Sequence, residues 1–258
     1  MQLDEYRERF EYVELARKDG VLEVRLHTEG ASLVWGTGPH RELPTAFDAI
    51  GSDPENRVIV LTGAGDSFCA DRDETLSVLR SSPEGWDRIY WEGKRLIDAL
   101  LAIEVPIVGA VNGPALHHAE LVVLSDIVIA ADTATFQDHA HFASGVVPGD
   151  GVQVIWPLIL GPNRGRYFLL TGQTLSAEDA LTLGVVSEVV PKAQLLPRAH
   201  ELAMQIASRP VLATRYSRVV LTEQLRRAMR DAVGYGLALE GLALISPPDK
   251  TSEDRSES

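Results

Sequence analysis

The chain has 258 residues, and its 37 acidic side chains outnumber its 24 lysines and arginines, which leaves a net charge of −13 at neutral pH. That balance argues against nucleic acid or an anionic membrane surface as the main partner. The single cysteine, Cys69, excludes an internal disulfide bond and any metal cluster that needs several cysteines.

The N-terminal segment from Met1 to Arg17 is charged throughout and lacks the apolar centre of a signal peptide. No apolar run reaches the length of a membrane span, because Glu104 and Pro106 interrupt the one over 100–111. We therefore expect a cytoplasmic protein that binds neither membranes nor nucleic acid.

The first half of the chain alternates between predicted strands and helices. Segments Tyr12–Arg17 and Val21–His27 flank the turn sequence Lys18-Asp19-Gly20, which predicts a hairpin. The next predicted elements are a helix over 43–50, a strand over 58–62, a turn-rich loop over 63–73, a helix over 86–101, a strand over 107–111, a short helix over 120–124 and a strand over 127–131. This alternation predicts an α/β core with right-handed crossovers.

After Gly151 the pattern becomes helical. Ser176 begins one predicted helix, because acidic residues follow it in the first turn. The predicted helices cover 164–171, 176–183, 197–207 and 213–245, the last weakened locally by glycines at 234, 236 and 241. We divide the chain into a core over 1–195, a helical region over 196–246 and a polar, disordered tail over 247–258.

The segment from Phe136 to Gly151 places His141 nine residues ahead of Asp150, across a turn rich in glycine and proline. A histidine that an aspartate orients and charge-stabilises is a general base that works near neutral pH. No serine or cysteine in a nucleophile motif accompanies the pair, which favours activated water over a covalent intermediate. The alternative is a His-Asp pair that only closes the turn.

Several segments, in this order, resemble the crotonase superfamily, the enoyl-CoA hydratases and isomerases. The resemblance covers about residues 12 to 245. The matching segments are 58–63 with Phe68-Cys69-Ala70, then 104–113, 125–127, 134–136, 147–149, 167–172, 176–180 and 184–191. The resemblance implies a spiral of repeated ββα units over 1–195, a helical C-terminal region that serves oligomerisation, and a homotrimer or dimer of trimers.

The chain departs from the CoA-using members where they stabilise a thioester enolate. Their two backbone N–H donors lie in stretches of small residues, which here read Asp71-Arg72-Asp73 and, over 116–120, Leu-His-His-Ala-Glu. Glycine lets a backbone approach a ligand closely, whereas arginine and histidine side chains obstruct that approach. Glu120 matches the first of the two hydratase glutamates, and His141 stands in the place of the second.

Within the superfamily the chain is most similar to the β-diketone hydrolases, the branch of 6-oxocamphor hydrolase. These enzymes cleave the carbon–carbon bond between two carbonyls by a retro-Claisen reaction, without CoA or another cofactor. The positions that match the branch are Trp35, His40, His118, His141, Asp150 and Glu240. The resemblance implies a cofactor-independent hydrolase of a cyclic β-diketone.

By this resemblance four residues are catalytic. His141, held by Asp150, removes a proton from water and later returns it to the enolate carbon. His118 and His40 donate N–H groups to one carbonyl oxygen. His40 has a plainer alternative as a surface residue at a helix start.

Two further residues bind substrate by the same resemblance. The Trp35 indole donates to the other carbonyl, and Glu240 helps if it is protonated or orients Trp35 or a water. Alternatively, Trp35 is a core residue, and Glu240 pairs with an arginine or lies at a subunit interface. The loop over 75–84 is expected to shape the pocket, and Glu120 to hold helix geometry.

Two other functions stay open. A CoA-ester crotonase, such as a hydratase, isomerase or thioesterase, is the first. The second is a metal-binding or non-catalytic oligomer, because His117, His118, His139 and His141 form a cluster in the sequence. Adjacent histidines tend to diverge, so we expect no metal and no cofactor.

Overall fold

The computed structural model describes residues 1–245. The predicted disordered tail over 247–258 lies outside the described residues. The strands are β1 (Val13–Lys18), β2 (Val21–Leu26), β3 (Val34–Trp35), β4 (Val58–Gly63), β5 (Asp71–Arg72), β6 (Ile107–Val111), β7 (Ile127–Ala131), β8 (Thr135–Phe136), β9 (Leu175–Ser176) and β10 (Glu188–Val190). The helices are α1 (Leu3–Tyr6), α2 (Thr37–Gly51), α3 (Thr75–Leu79), α4 (Pro83–Ala102), α5 (Glu120–Val123), α6 (Val152–Leu160), α7 (Pro162–Thr171), α8 (Ala177–Thr182), α9 (Lys192–Ala207) and α10 (Val211–Ile245).

Six strands form one sheet in the order β1-β2-β4-β6-β7-β10. The predicted hairpin of β1 and β2 is antiparallel, and each later neighbour pairs in parallel. Every residue of β4 and of β6 is buried, as expected for parallel strands with helices over both faces. The predicted α/β class is confirmed.

A second line of short strands runs beside the large sheet. β3 pairs with β5, and β8 pairs with β9. Single bridges join Cys69 to Ala115 and Ala115 to Phe136 between these pairs. A main strand, a short strand or bridge, and a helix thus recur along the chain. β3 ends at Trp35, one of the predicted site residues.

Helix α9 covers one face of the large sheet. Its buried Leu195, Ala199 and Ala203 pack on β4 and β6 side chains such as Val60 and Val108. The predicted boundary between residues 195 and 196 therefore falls inside a helix. The division into a core and a helical region stays a prediction.

Some helices are longer than their patterns predicted. α2 begins at Thr37 and α9 at Lys192, and each contains a proline, Pro44 and Pro197, that lies at or near the predicted start. Burial of an apolar face outweighs the hydrogen bond that such a proline removes. α6 was not predicted, because its nearly continuous apolar sequence lacks helical periodicity.

Ser176 caps α8 as predicted, and its hydroxyl accepts a hydrogen bond from the backbone N–H of Asp179. Helix α10 runs unbroken through all three of its glycines. Across residues 1–245, none of the helices is long and apolar enough to span a membrane.

Candidate active site

One cavity collects all six residues that the sequence analysis selected. The centre of a water-sized sphere reaches about 20 Å³ of it, and the space between its lining atoms, open solvent included, is about 430 Å³. Residues from β3, α2, the α3 region, α4, the β6–α5 loop, α5, the segment before α6, and α10 line it: Trp35, His40, Leu76, Arg80, Ile89, Gly93, Leu96, Ile97, His118, Glu120, His141, Asp150, Leu237 and Glu240. The predicted set thus converges although it spans more than 200 positions of sequence.

Trp35 and His40 enter from the β3–α2 connection. Trp35 is 2% exposed, and its indole Nε1 has no hydrogen-bond partner. His40 lies in the first turn of α2 and is buried, not on the surface. Its Nδ1 lies 2.9 Å from a carboxylate oxygen of Glu92 on α4.

The surroundings of His40 decide its protonation. Burial lowers the pKa of His40 below its ordinary value, against the opposing effect of Glu92. Hydrogen bonds from His40 and Arg88 hold the pKa of Glu92 low despite burial. A neutral His40 whose Nδ1–H donates to this carboxylate presents Nε2 as an acceptor. The predicted N–H donation from Nε2 to a carbonyl therefore requires an additional proton.

His118 stands in the turn between β6 and α5 with a backbone φ of 50°, the left-handed region that glycine prefers. Its ring stacks on Trp35, with centroids 3.9 Å apart. Its Nδ1 lies 2.7 Å from Glu120 and 3.3 Å from Asp150. Burial lowers the pKa of His118, but the two carboxylates outweigh it and raise that pKa above the usual value.

Glu120 holds His118 rather than only the helix geometry expected of it. The carboxyl is buried, and burial raises its pKa. His118 keeps its Nε2 free of hydrogen bonds to described residues. A protonated His118 is thus a donor that the cavity presents to a ligand.

His141 lies between two carboxylates. Nε2 is 3.3 Å from Asp150, as the predicted pair requires, and Nδ1 is 2.6 Å from Asp138. Burial lowers the pKa of His141, but the charges of Asp150 and Asp138 outweigh it and hold that pKa well above the usual value. The pair predicted from the sequence is present, and a second carboxylate holds its far side.

Asp150 is shared between the two imidazoles. One oxygen, Oδ2, lies 3.3 Å both from His118 Nδ1 and from His141 Nε2, whereas Oδ1 has no partner. Burial raises the pKa of Asp150, but His141, His118 and the Val152 backbone N–H at the start of α6 hold it well below the usual range. Carboxyl and imidazole groups therefore alternate from Glu120 to Asp138.

Glu240 reaches the cavity because α10 approaches the Asp150 segment closely. A Cβ on Gly236 would lie 2.2 Å from the carbonyl oxygen of Gly149, so only glycine permits this crossing. Glu240 follows Gly236 by one helical turn and is 2% exposed. Burial raises the pKa of Glu240 to about 7, and its Oε2 has no hydrogen-bond partner.

Unpartnered polar atoms concentrate in this cavity. Buried side-chain atoms without a hydrogen-bond partner are uncommon in proteins and call for a ligand, water or strain as explanation. Among residues 1–245, four of the nine such atoms belong to the cavity lining: Trp35 Nε1, Arg80 Nε, Asp150 Oδ1 and Glu240 Oε2. The site holds donors and acceptors ready for a polar ligand.

The predicted histidine cluster divides in the structure. His117 and His139 pack against each other with ring centroids 5.3 Å apart, and neither lines the cavity. His118, Glu120 and Asp150 place potential metal-binding atoms within 4.8 Å of one another. The Nδ1 of His118 already contacts both carboxylates, so a metal would displace its proton.

Sequence reasoning missed two carboxylates that hold histidines. Asp138 carried a local signal, because it precedes His141 by three residues in the same segment. Glu92 carried none, since 52 positions separate it from His40. Only the packing of α4 against α2 brings those two together.

Comparison with known proteins identifies the family. The sequence profile described as "Enoyl-CoA hydratase/isomerase" matches residues 17–254. The chain belongs to the enoyl-CoA hydratase/isomerase family. Its fold is accordingly the crotonase fold, with a helical C-terminal region, as the resemblance implied.

Curated relatives at 31–32% identity are named as CoA hydratases or dehydratases. A crotonyl-CoA hydratase of Syntrophomonas wolfei is 32% identical over 215 residues, covering 81% of this chain and 80% of its own. A carnitinyl-CoA dehydratase of Proteus mirabilis is 31% identical over 248 residues, covering 93% and 90%.

Solved structures of the family carry two kinds of name. A β-diketone hydrolase from the cyanobacterium Anabaena, bound to (S)-3-oxocyclohexyl acetic acid, is 48% identical, with a TM-score of 0.91 and coverage of 93% of this chain and 96% of its own. An enoyl-CoA hydratase/isomerase from Mycobacterium paratuberculosis is 27% identical, with a TM-score of 0.84 and coverage of 95% and 96%.

Proposed function

We propose that this crotonase-family chain is a cofactor-independent hydrolase that cleaves a carbon–carbon bond of a cyclic β-diketone. The observation that carries the proposal is the chain of alternating carboxyl and imidazole groups in a cavity with unpartnered polar atoms. The β-diketone hydrolase from Anabaena, which is 48% identical, supports the same reaction class.

The reaction needs a base for water and donors for two carbonyl oxygens. We assign the base to the pair of His141 and Asp150, in which Asp150 Oδ1 is the acceptor not committed to an imidazole. In its basic form, in which His141 has given up one of its two ring protons, the pair takes one proton from water as the water oxygen bonds to one carbonyl carbon. Proton transfer of this kind contributes about 10²–10⁴-fold in rate.

The tetrahedral intermediate then collapses. The bond to the carbon between the carbonyls breaks, and its electron pair leaves as an enolate on the second carbonyl. The proton held by the base returns to the enolate carbon. The products are a carboxylic acid and a ketone, which remain one molecule when the diketone is cyclic.

Charged and neutral donors stabilise the oxyanions in this scheme. A protonated His118 donates from Nε2, and the Trp35 indole supplies an N–H that has no protein partner. Donors fixed in a dry cavity often contribute the largest share of catalysis. Glu240, whose pKa burial raises to about 7, adds a donor in its protonated form without repelling an enolate. His40 joins only in its protonated form.

Hydrolysis of a CoA ester or hydration of an enoyl-CoA is the second candidate. The names of the curated relatives at 31–32% identity favour it. Against it, His141 replaces one hydratase glutamate, and the side chain of His118 occupies the turn where those enzymes have small residues.

A panel assay separates the two functions. We would incubate the chain, without CoA or added metal, with cyclic β-diketones and follow loss of enolate ultraviolet absorbance and release of keto acid by mass spectrometry. Some diketones should carry two substituents on the central carbon, and their cleavage is followed by mass spectrometry of the keto acid alone. Keto acid formed by the wild type and lost in His141→Ala supports the proposal. Turnover of an acyl-CoA panel in its place supports the second candidate.

We also propose that the chain assembles as a homotrimer or a dimer of trimers. Helix α10 exposes apolar side chains from one stretch of its surface: Leu212, Tyr216, Val220 and Leu221. Exposed apolar patches of this kind mark interaction surfaces. Light scattering after size-exclusion chromatography measures the mass and distinguishes three copies from six. The cytoplasmic location stays a prediction.

A further inference from the structure

Arg80 brings a positive charge to the cavity. It ends α3, within the segment over 75–84 that was expected to shape the pocket, and its side chain lines the cavity beside Leu76. No role in the proposed hydrolysis uses it. Its guanidinium is permanently charged and offers five N–H donors.

Those donors have no protein partner among the described residues. The Nε is buried without a hydrogen bond, and no described carboxylate lies within 4.0 Å of the guanidinium. Arg218, which is fully buried, instead bonds Asp126 and the Ile103 carbonyl. A partly buried, unpaired charge is unfavourable for folding. Such a departure is typical of a functional site.

Glu240 lies close enough for the charge of Arg80 to lower its pKa, against the larger effect of burial. The two side chains nevertheless form no ion pair within 4.0 Å. Glu240 Oε2 is unpartnered as well. A neutral Glu240 and a cationic Arg80 both donate hydrogen bonds, and an anionic acceptor between them would satisfy both.

Resting on the hydrolase function proposed above, we propose that Arg80, with Glu240, forms a carboxylate-binding subsite of this cavity. Carboxylates are the anions that guanidinium groups bind in two-pronged geometry. The carboxylate has two possible sources. One is a substituent of the diketone substrate, and the other is the acid group that hydrolysis of the carbon–carbon bond creates.

The test compares Arg80→Met and Arg80→Lys with Arg95→Met, a control on an exposed arginine of α4. Each variant receives a matched pair of cyclic β-diketones, one neutral and one with a carboxylate side group. Keto acid product serves as inhibitor and, in calorimetry, as ligand. Thermal unfolding confirms that each variant folds.

If the substrate supplies the carboxylate, Arg80→Met lowers kcat/KM about 10- to 100-fold for the charged diketone and less than about threefold for the neutral one. If the product supplies it, inhibition and calorimetric binding of the keto acid weaken by the same factor. Arg80→Lys should show a smaller loss than Arg80→Met in either case, and Arg95→Met should match the wild type. Equal loss for both diketones with keto acid binding unchanged, or no change in either arm, overturns the subsite.

Calorimetry keeps this inference separate from the hydrolase function. A wild type that cleaves no diketone refutes the hydrolysis. Keto acid binding that depends on Arg80 would then still show the subsite, whereas diketone cleavage indifferent to Arg80 refutes the subsite alone.

Discussion

Nδ1 of His141 lies 2.6 Å from Oδ1 of Asp138, on the side of the ring opposite to Asp150. A carboxylate at this distance keeps the proton on Nδ1 and sets the orientation of the ring. Asp138 is 4% exposed and does not line the cavity, so it acts on a ligand only through His141. Asp138 is therefore a positioning residue.

Replacing Asp138 with asparagine should lower kcat about 10²–10³-fold, because the pair loses an orienting charge. The pKa of His141 should fall as well, since Asp138 is one of the two carboxylates that raise it. The pH–rate profile should therefore move toward lower pH. Asp132→Asn is the control, because that carboxylate bonds only a surface backbone N–H, of Lys192. An unmoved profile in a folded Asp138→Asn chain contradicts this role.

His141→Ala should abolish turnover with folding intact, because the proton carrier is absent. Asp150→Asn should lower kcat by at least about 10²-fold with a small change in KM, since the amide keeps the shape but not the basicity. Steady-state kinetics and circular dichroism check both variants. Wild-type rates in His141→Ala would remove the His141–Asp150 pair from the mechanism.

Glu240→Gln should change how stability depends on pH. Burial raises the pKa of Glu240 from 4.5 to about 7, so the folded chain holds a proton that the unfolded chain releases. This proton stabilises the fold below pH 4.5, and the contribution is lost as pH rises through about 7. Glutamine stays neutral, so Glu240→Gln should remove this pH-dependent loss of folding stability, which is on the order of 1–3 kcal/mol. Urea unfolding of both chains at about pH 5 and about pH 8 measures it; parallel curves would show an ordinary, unshifted carboxyl.

The left-handed backbone at His118 predicts an order of stability. His118→Gly and His118→Ala remove the same side chain, and both should reduce turnover. The glycine variant should be more stable by about 0.5–1 kcal/mol, because a φ of 50° is unfavourable for alanine. Ala119→Gly is the control at a φ of −58°, where glycine should be the less stable residue. Urea unfolding measures the difference, and a more stable alanine at position 118 would contradict the observed backbone.

Two glycines of α10 should respond differently to alanine. At Gly236 the new Cβ meets the Gly149 carbonyl, so α10 must move away from the Asp150 segment. We expect a loss of about 1–3 kcal/mol in stability and lower kcat, since Glu240 moves with the helix. At Gly234 the nearest atom is the Tyr90 hydroxyl at 3.0 Å, the end of a side chain. Gly234→Ala should be neutral or stabilising by up to about 1 kcal/mol. Thermal unfolding and kinetics compare the pair, and equal effects would refute the close crossing.

Local patterns were sufficient for much of the fold. A continuous β-branched run predicted β4, short apolar runs predicted β6 and β7, and the Lys18-Asp19-Gly20 turn predicted the hairpin. Patterns misplaced the starts of α2 and α9, where packing overrides a proline. The helical pattern treated the glycines of α10 as positions that weaken the helix. Their contribution is a close contact with another segment, as at Gly236 and Gly149, which a local pattern does not contain.

The chain alone was enough to select the residue types of the candidate site, through matches at six positions: Trp35, His40, His118, His141, Asp150 and Glu240. Only the tertiary structure decided what each group contacts. The second carboxylate of His141 and the Glu92 partner of His40 depend on distances below about 4 Å, and the unpaired charge of Arg80 depends on the lack of such a contact among the described residues. Such distances arise when separate helices and loops pack together. Spacing along the chain does not encode them.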